Sequence, residues 1–199
     1  MQVLPPMVSD VAPSLRFVLR DRTRAAHEFL DAKASRFNLS RKDDYLRFLV
    51  WHGAVVPALE RKLRMNGIAR FVPDWDERER GAALIDDLEA LGASRLRLRD
   101  VQLGRDRGTL LGAAYVLEGS RLGGAMLVRG VDPALIGIAT AYLDHGAGLK
   151  LWPRFVDILD AAGLSGAEQS AAIIAANETF MLFERELVDL FEPDGAAPG

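Results

Sequence analysis

One histidine, His27, stands where an imidazole can do chemistry, on the apolar face of a predicted helix. Thr23 and Leu30, four residues before it and three after it, share that face, so we expect the imidazole to point inward. The small neighbours Ala25 and Ala26 leave room for a large group. A metal or heme ligand fits this pattern, and so does a buried histidine that only hydrogen-bonds to its surroundings, which spacing alone favours.

The absence of cysteine and the positions of the other two histidines exclude several kinds of site. The chain has no cysteine, which excludes disulfides, thiolate metal sites and cysteine nucleophiles. His52 follows Trp51 in a predicted helix and His145 ends another, so both are interpreted as packing or capping residues. No histidine has a glutamate three residues before it, which disfavours a carboxylate-bridged di-iron centre.

A second unusual feature is a predicted helix from Thr109 to Arg129 with glycine at four positions, namely Gly112, Gly119, Gly123 and Gly124. Each glycine inside a helix costs about 0.5–1 kcal/mol relative to alanine, so the four require a reason. A neighbouring helix that crosses closely is one reason. A flat ligand lying against the helix is the other, and the last three glycines cluster in a way that suits it.

Four arginines fall in the first predicted helix, at positions 16, 20, 22 and 24. Arg20 lies seven residues before His27, hence on the same side of the helix and about 10 Å away. A ligand bound at His27 with carboxylates at one edge would meet Arg20. A solvated basic face, partly neutralised by Asp21 and Glu28, explains the same residues.

These side chains need helices to position them. The spacing of apolar residues predicts helices from Ser14, over 43–65 with a kink at Pro57, over 74–91, over 109–129, over 132–145, over 151–162, and from Ser165 to about Phe191. Ser165 and Glu168 form a capping-box pattern. The arginine-rich run 94–108 is predicted to be irregular or to form one helical turn. The chain is therefore predicted to be a single-domain, all-α multi-helix bundle over 14–191, with an extended or disordered leader at 1–13 and a flexible tail at 192–199.

Composition limits the partners. The 199 residues carry 25 basic and 28 acidic side chains mixed along the sequence, for a net charge of −3. This balance gives no support to a nucleic-acid binder or a polybasic membrane module. The apolar runs are too short to cross a membrane and the first residues do not resemble a signal peptide, so we expect a cytoplasmic protein.

Three segments together resemble a known family: LRDRTRAAHEFLD near the N-terminus, YVLEGSRLGG in the glycine-bearing helix, and ETFMLF in the last helix. The combination is similar to the bacterial heme oxygenases, particularly the group found alongside bacteriophytochromes. The likeness extends from about Leu15 to Leu190. It implies a heme-oxygenase-like bundle and the oxidative opening of heme, with O2 and external electrons, to biliverdin, carbon monoxide and ferrous iron.

The resemblance also implies a site. Heme would lie between a proximal helix, with His27 as the axial iron ligand, and a distal helix, with Gly119, Ser120, Gly123 and Gly124 at the reaction centre. Arg20 would bind a propionate. We expect the remaining heme contacts from Thr23, Tyr115, Arg121, Phe180 and Phe183. The implied partners are a ferredoxin-type or flavoprotein reductant and a bacteriophytochrome that receives biliverdin.

This sequence departs from the better-known animal enzymes, which carry an aspartate in the distal glycine motif to organise water. The same place here reads Gly119-Ser120-Arg121-Leu122. Ser120 and a backbone carbonyl are the candidates to hold that water, and Arg121 either contacts heme or faces away. Two other functions fit the same bundle: a non-catalytic heme-binding or sensor protein, and a thiaminase-like or cofactor-synthesis enzyme, which would not need His27.

Overall fold

The computed structural model describes residues 14–93 and 96–191, and every regular element in those ranges is helical. The predicted all-α fold is confirmed. The predicted leader at 1–13 and tail at 192–199 lie outside the described residues. The helices are α1 (Leu15–Ala34), α2 (Lys42–Met65), α3 (Trp75–Arg78), α4 (Gly81–Ala90), α5 (Arg107–Leu127), α6 (Leu151–Asp160) and α7 (Gly166–Phe191).

The helix ends follow local chemistry in some places and tertiary contacts in others. The capping box before α7 is confirmed, because Glu168 accepts hydrogen bonds from the Ser165 N–H (2.9 Å) and hydroxyl (2.8 Å). Ser14 precedes α1 as predicted, but its hydroxyl contacts Asp160 at the end of α6 instead of capping the helix.

The predicted helix over 74–91 is two helices, because a side chain from α2 caps the second of them. The Glu60 carboxylate accepts hydrogen bonds from the backbone N–H groups of Arg80 (3.0 Å), the residue before α4, and Gly81 (2.8 Å), its first residue. The backbone of Glu79 is extended between the two helices. A cap supplied from 20 residues away leaves no trace in the local sequence pattern.

The predicted helix over 132–145 is wrong. Only a 3-10 turn forms, at Pro133–Leu135, and Gly137 then adopts a φ of 77°. Long-range hydrogen bonds hold the following loop: from the Tyr45 hydroxyl to the Ala139 carbonyl (2.6 Å), and from the N–H groups of Ala141 (3.0 Å) and Tyr142 (2.8 Å) to Asp87. These contacts replace the helical hydrogen bonds that the sequence pattern predicts.

Helix α7 is the central support of the bundle. It packs on α5, α1 and α2, most extensively on α5. The approach to α5 is very close: a Cβ built on Gly108 would lie 2.0 Å from the carbonyl oxygen of Glu168, and one on Gly112 would lie 2.1 Å from that of Ala172. Because these neighbours are backbone atoms, only glycine fits at the crossing.

Among the described helices, none is both long enough and apolar enough to cross a lipid bilayer.

Candidate functional site

Helices α1 and α5 meet beside Tyr115. Burial raises the pKa of the Tyr115 phenol, while a hydrogen bond with Thr23 and the positive charge of Arg20 act in the opposite direction. Thr23 of α1 therefore contacts Tyr115 of α5, and Arg20 lies near enough for its charge to act on the phenol. Thr23 is buried and donates to the Leu19 carbonyl at 2.8 Å, which fixes its hydroxyl at this contact.

Both helices run in the same direction along α7 from this contact. On α5, Gly108 lies beside Glu168 and Gly112 beside Ala172. On α1, the Arg22 carbonyl accepts from the Asn177 side chain at 3.4 Å, and His27 follows beside Phe180. His27, one turn past Thr23, and the glycines of α5 past Tyr115 therefore both lie beyond this contact, and we call the region between these two helix segments the α1/α5 cleft.

His27 is exposed in this cleft, which differs from the predicted inward orientation. Its side chain is 60% accessible, with the ring edge against buried Phe180 at a centroid distance of 5.8 Å. Its Nδ1 lies 3.0 Å from an Asp31 carboxylate oxygen. When Nδ1 donates to Asp31, the lone pair of Nε2 is left available to a metal.

The glycines of α5 serve two different purposes. Gly112 provides the close crossing with α7, which was one of the two predicted reasons. At Gly123 an added Cβ would meet no described atom within 4 Å, and at Gly119 it would meet only Trp152, at 3.9 Å. Close packing therefore does not explain Gly119 and Gly123, which follow Tyr115 at intervals of four residues on one face of the helix.

Gly124 and Ser120 face the interior of the bundle instead of the open side. A Cβ on Gly124 would lie 3.4 Å from the Leu143 carbonyl, so this glycine packs against the loop before α6. The Ser120 hydroxyl donates to the Leu117 carbonyl at 2.8 Å and accepts from the Arg80 guanidinium. It is thus already engaged on the side away from the cleft.

Arg121 and Phe183, both predicted to contact a cofactor, also lie elsewhere. Arg121 donates to Glu118 (2.9 Å) and to the Arg78 carbonyl, and it approaches His145. Its side chain is 9% exposed, so these protein groups surround its cation. Phe183 is buried in the core, where its ring packs against Trp51 and His52. The predicted periodicity of α7 was correct, but it did not distinguish Phe180, beside His27, from Phe183.

The structure shows a buried polar network that the sequence did not predict. Arg78 bridges Glu118, Asp74 and the Leu151 carbonyl (2.9 Å), and Arg80 lies over the Tyr142 ring at 4.7 Å. These arginines belong to the run WDERER, which by composition resembles an exposed charged turn. Only the tertiary structure shows that Arg78 and Arg80 are buried, with 1% and 2% of their surfaces exposed.

His52 belongs to the same region. Its Nδ1 lies 2.6 Å from the Tyr142 hydroxyl, and its ring contacts Phe48, Trp51 and Phe183. Burial, followed by the charge of Arg80, lowers the pKa of His52 to about 3. The imidazole is therefore neutral at physiological pH.

The fold and the site define a class of helical proteins with an exposed histidine on one helix opposite a glycine-lined helix. The heme oxygenase family model matches residues 72–189, which is more than half of the chain. The chain belongs to the heme oxygenase family, whose members degrade heme. The matched segment contains α5 and most of α7 but not α1, so it does not include His27.

Two solved structures are similar over most of the chain. The NO- and CO-bound heme oxygenase from Neisseria meningitidis is 24% identical, with a TM-score of 0.78, covering 94% of this chain and 96% of that one. The heme oxygenase from Leptospira interrogans is 17% identical, with a TM-score of 0.72, covering 89% and 100%. At these identities the comparisons establish the shared fold. A comparison with curated protein sequences gives no significant match.

Proposed function

We propose that this chain opens heme to biliverdin, carbon monoxide and ferrous iron, using O2 and electrons from a separate donor, with heme bound in the α1/α5 cleft. The main support for this proposal is the contrast between α1 and α5, the two walls of the cleft. One presents an accessible imidazole above buried Phe180, and the other presents helical backbone at Gly119 and Gly123 with almost no protein neighbour.

The residues of the cleft fit a flat, largely apolar ligand with anionic groups at one edge. Leu122 and Met126, on the open end of α5, are 52% and 73% exposed. Such side chains are stabilised when an apolar ring covers them. Arg20, beside Tyr115, supplies a cation for a propionate. When bound, heme supplies the iron at which oxygen is activated, and its own ring is oxidised.

On the proximal side, His27 would hold the iron through Nε2. Asp31 orients the imidazole by accepting from Nδ1. The Asp31 side chain is 68% exposed, so water screens its charge and limits how strongly it draws the imidazole proton. The proximal ligand is then a neutral histidine, as the resemblance implies.

On the distal side, Gly119 and Gly123 would leave space for a small molecule between α5 and a bound heme. Because the Ser120 hydroxyl is engaged by Arg80 and Leu117, a backbone carbonyl of this segment is the better candidate to hold a water there. Arg121 is held by Glu118 and Arg78, so we propose no heme contact for it. The distal wall then offers shape and backbone dipoles without a second strong iron ligand.

The proposed partners follow from this reaction. It consumes electrons, which a ferredoxin-type or flavoprotein reductant would supply, and it releases biliverdin, which a bacteriophytochrome could receive.

The test is reconstitution with hemin, followed by ascorbate or a ferredoxin-type donor in air with catalase present, because free hydrogen peroxide degrades heme without an enzyme. We expect the Soret band to disappear and both biliverdin and carbon monoxide to form. In His27→Ala the histidine-ligated spectrum should be lost and then restored by added imidazole, whereas His145→Ala should keep it. A stable Soret band with no bilin under several donors would instead indicate a heme-binding or sensor protein.

A further inference from the structure

Arg80 is a buried cation that reaches the distal helix from outside it. The residue is 2% exposed, and its backbone N–H is fixed by Glu60 at 3.0 Å. Its Nη2 donates to the Leu117 carbonyl at 3.0 Å and to the Ser120 hydroxyl. These acceptors flank the start of residues 119–124, which we call the glycine segment.

The Leu117 carbonyl receives side-chain donors as well as its helical one. It accepts from the Ser120 hydroxyl at 2.8 Å and from Arg80 at 3.0 Å, and the α-helical pattern also directs the N–H of Arg121 at it. Because Arg80 holds both this carbonyl and the Ser120 hydroxyl, it joins the turn of α5 immediately before the glycine segment to the chain between α3 and α4. Without Arg80, this turn would lose its contact with that part of the chain.

The two faces of α5 differ beyond this turn. On the cleft side, Gly119 and Gly123 have no side chains and almost no described neighbours. On the opposite side, Arg80 holds the turn and Gly124 rests against the Leu143 carbonyl. The contacts that determine where the glycine segment lies therefore come from the side away from α1.

We propose that Arg80 is a positioning residue: its guanidinium, by holding Leu117 and Ser120 together, sets how closely the glycine segment approaches a heme held by His27. The effect of Arg80 on a bound heme rests on the proposed function. Its hold on Leu117 and Ser120 does not, because those contacts need no ligand. The ligand-free protein can therefore be tested first.

The first experiment is hydrogen exchange by mass spectrometry on the ligand-free protein. Arg80→Lys keeps the buried positive charge but loses the fork that reaches both acceptors. We expect amides in 121–127 to exchange about tenfold faster, as loss of one hydrogen bond from a charged donor predicts. Amides in 110–116, which are held by the close crossing with α7, should not change.

Two further variants keep the test decisive. Ser120→Ala removes one acceptor and should accelerate exchange in 121–127 by a smaller factor, even if Arg80→Lys proves too unstable to study. Arg70→Lys is the matched control, because Arg70 also donates to two backbone carbonyls, of Gly67 and Asn66, both at 3.1 Å, and neither carbonyl belongs to α5. Unchanged exchange in 121–127 for both Arg80→Lys and Ser120→Ala, or equal acceleration in 110–116, overturns the proposal.

A second readout uses heme-loaded protein reduced under carbon monoxide. If Arg80 sets the distal distance, the infrared C–O stretch should be one narrow band in the wild type and a broadened or split band in Arg80→Lys. A purely structural role would lower the melting temperature and leave the band unchanged. If the protein takes up no heme, the proposed function is wrong. The hydrogen-exchange experiment then still tests whether Arg80 holds the glycine segment, because it uses the ligand-free protein.

Discussion

At the scale of single residues, the environment of His52 shows how burial fixes a protonation state. Its imidazole bonds the Tyr142 hydroxyl at 2.6 Å within a shell of aromatic rings, and Arg80 lies over the ring of the same tyrosine. Burial and that cation together lower the pKa of His52 to about 3. A histidine interpreted from sequence as a packing residue is thus also the neutral partner of a buried tyrosine.

This predicts a specific acid sensitivity. The folded-state pKa of His52 is below the unfolded value of about 6.5, so its contribution to stability is fully present above pH 6.5 and is lost as the pH falls toward 3. Between pH 6.5 and 5 the loss should be about 2 kcal/mol. In urea unfolding, the free energy of unfolding of the wild type should fall by about 2 kcal/mol more than that of His52→Gln when the pH is lowered from 7.5 to 5. Parallel losses in the two proteins would contradict the assignment.

At the scale of elements, α5 combines two uses of glycine in one helix. Its first half uses Gly108 and Gly112 to reach the backbone of α7, and its second half leaves Gly119 and Gly123 open on the cleft side. Sequence analysis gave both explanations as alternatives for the whole cluster. Each explanation applies to a different half of the helix, because the α7 backbone lies directly against Gly108 and Gly112 but not against Gly119 and Gly123.

Paired substitutions separate these uses. Gly112→Ala forces a methyl group to within 2.1 Å of the Ala172 carbonyl oxygen, so the helices must separate and we expect a loss of about 1–3 kcal/mol. In Gly123→Leu the new Cβ meets no described atom within 4 Å, and the change gains several tenths of a kcal/mol in helix propensity. It should melt no lower than the wild type yet bind hemin poorly in a titration followed at the Soret band. Normal hemin affinity in Gly123→Leu would remove this glycine from the proposed site.

At the scale of the whole molecule, a buried ion network joins parts that are distant in sequence. Arg78 of α3 contacts Glu118 of α5 and the Leu151 carbonyl of α6, while Glu118 also contacts Arg121. The glutamate is 1% exposed and lies between two guanidinium groups. Removing its charge would leave two buried cations without their shared partner.

We therefore expect Glu118→Gln to reduce the free energy of unfolding by about 3–5 kcal/mol, measured with urea at neutral pH. The control is Arg64→Gln, which breaks ion pairs with Glu79 and Asp76 in which the arginine side chain is 50% exposed. That loss should stay below about 1 kcal/mol, because exposed pairs are screened by water and salt. Similar costs for the two variants would show that the buried network does not stabilise the fold more than a surface pair.

The sequence by itself determined what depends on near neighbours along the chain. Helical periodicity predicted the all-α class and the bounds of α2 and α5 to within one or two residues, and the capping box predicted the start of α7. The heme oxygenase resemblance came from motifs on α1, α5 and α7, and the family match confirms it.

Only the tertiary structure decided what depends on residues distant in sequence. It divided the predicted helix at Glu79 through a cap from Glu60, and it replaced the predicted helix over 132–145 with a loop held by Tyr45 and Asp87. It also turned Ser120 and Arg121 toward buried arginine and glutamate partners. The physical reason is the same each time: a buried polar group must find a partner, and that partner lies on another helix, where periodicity carries no information.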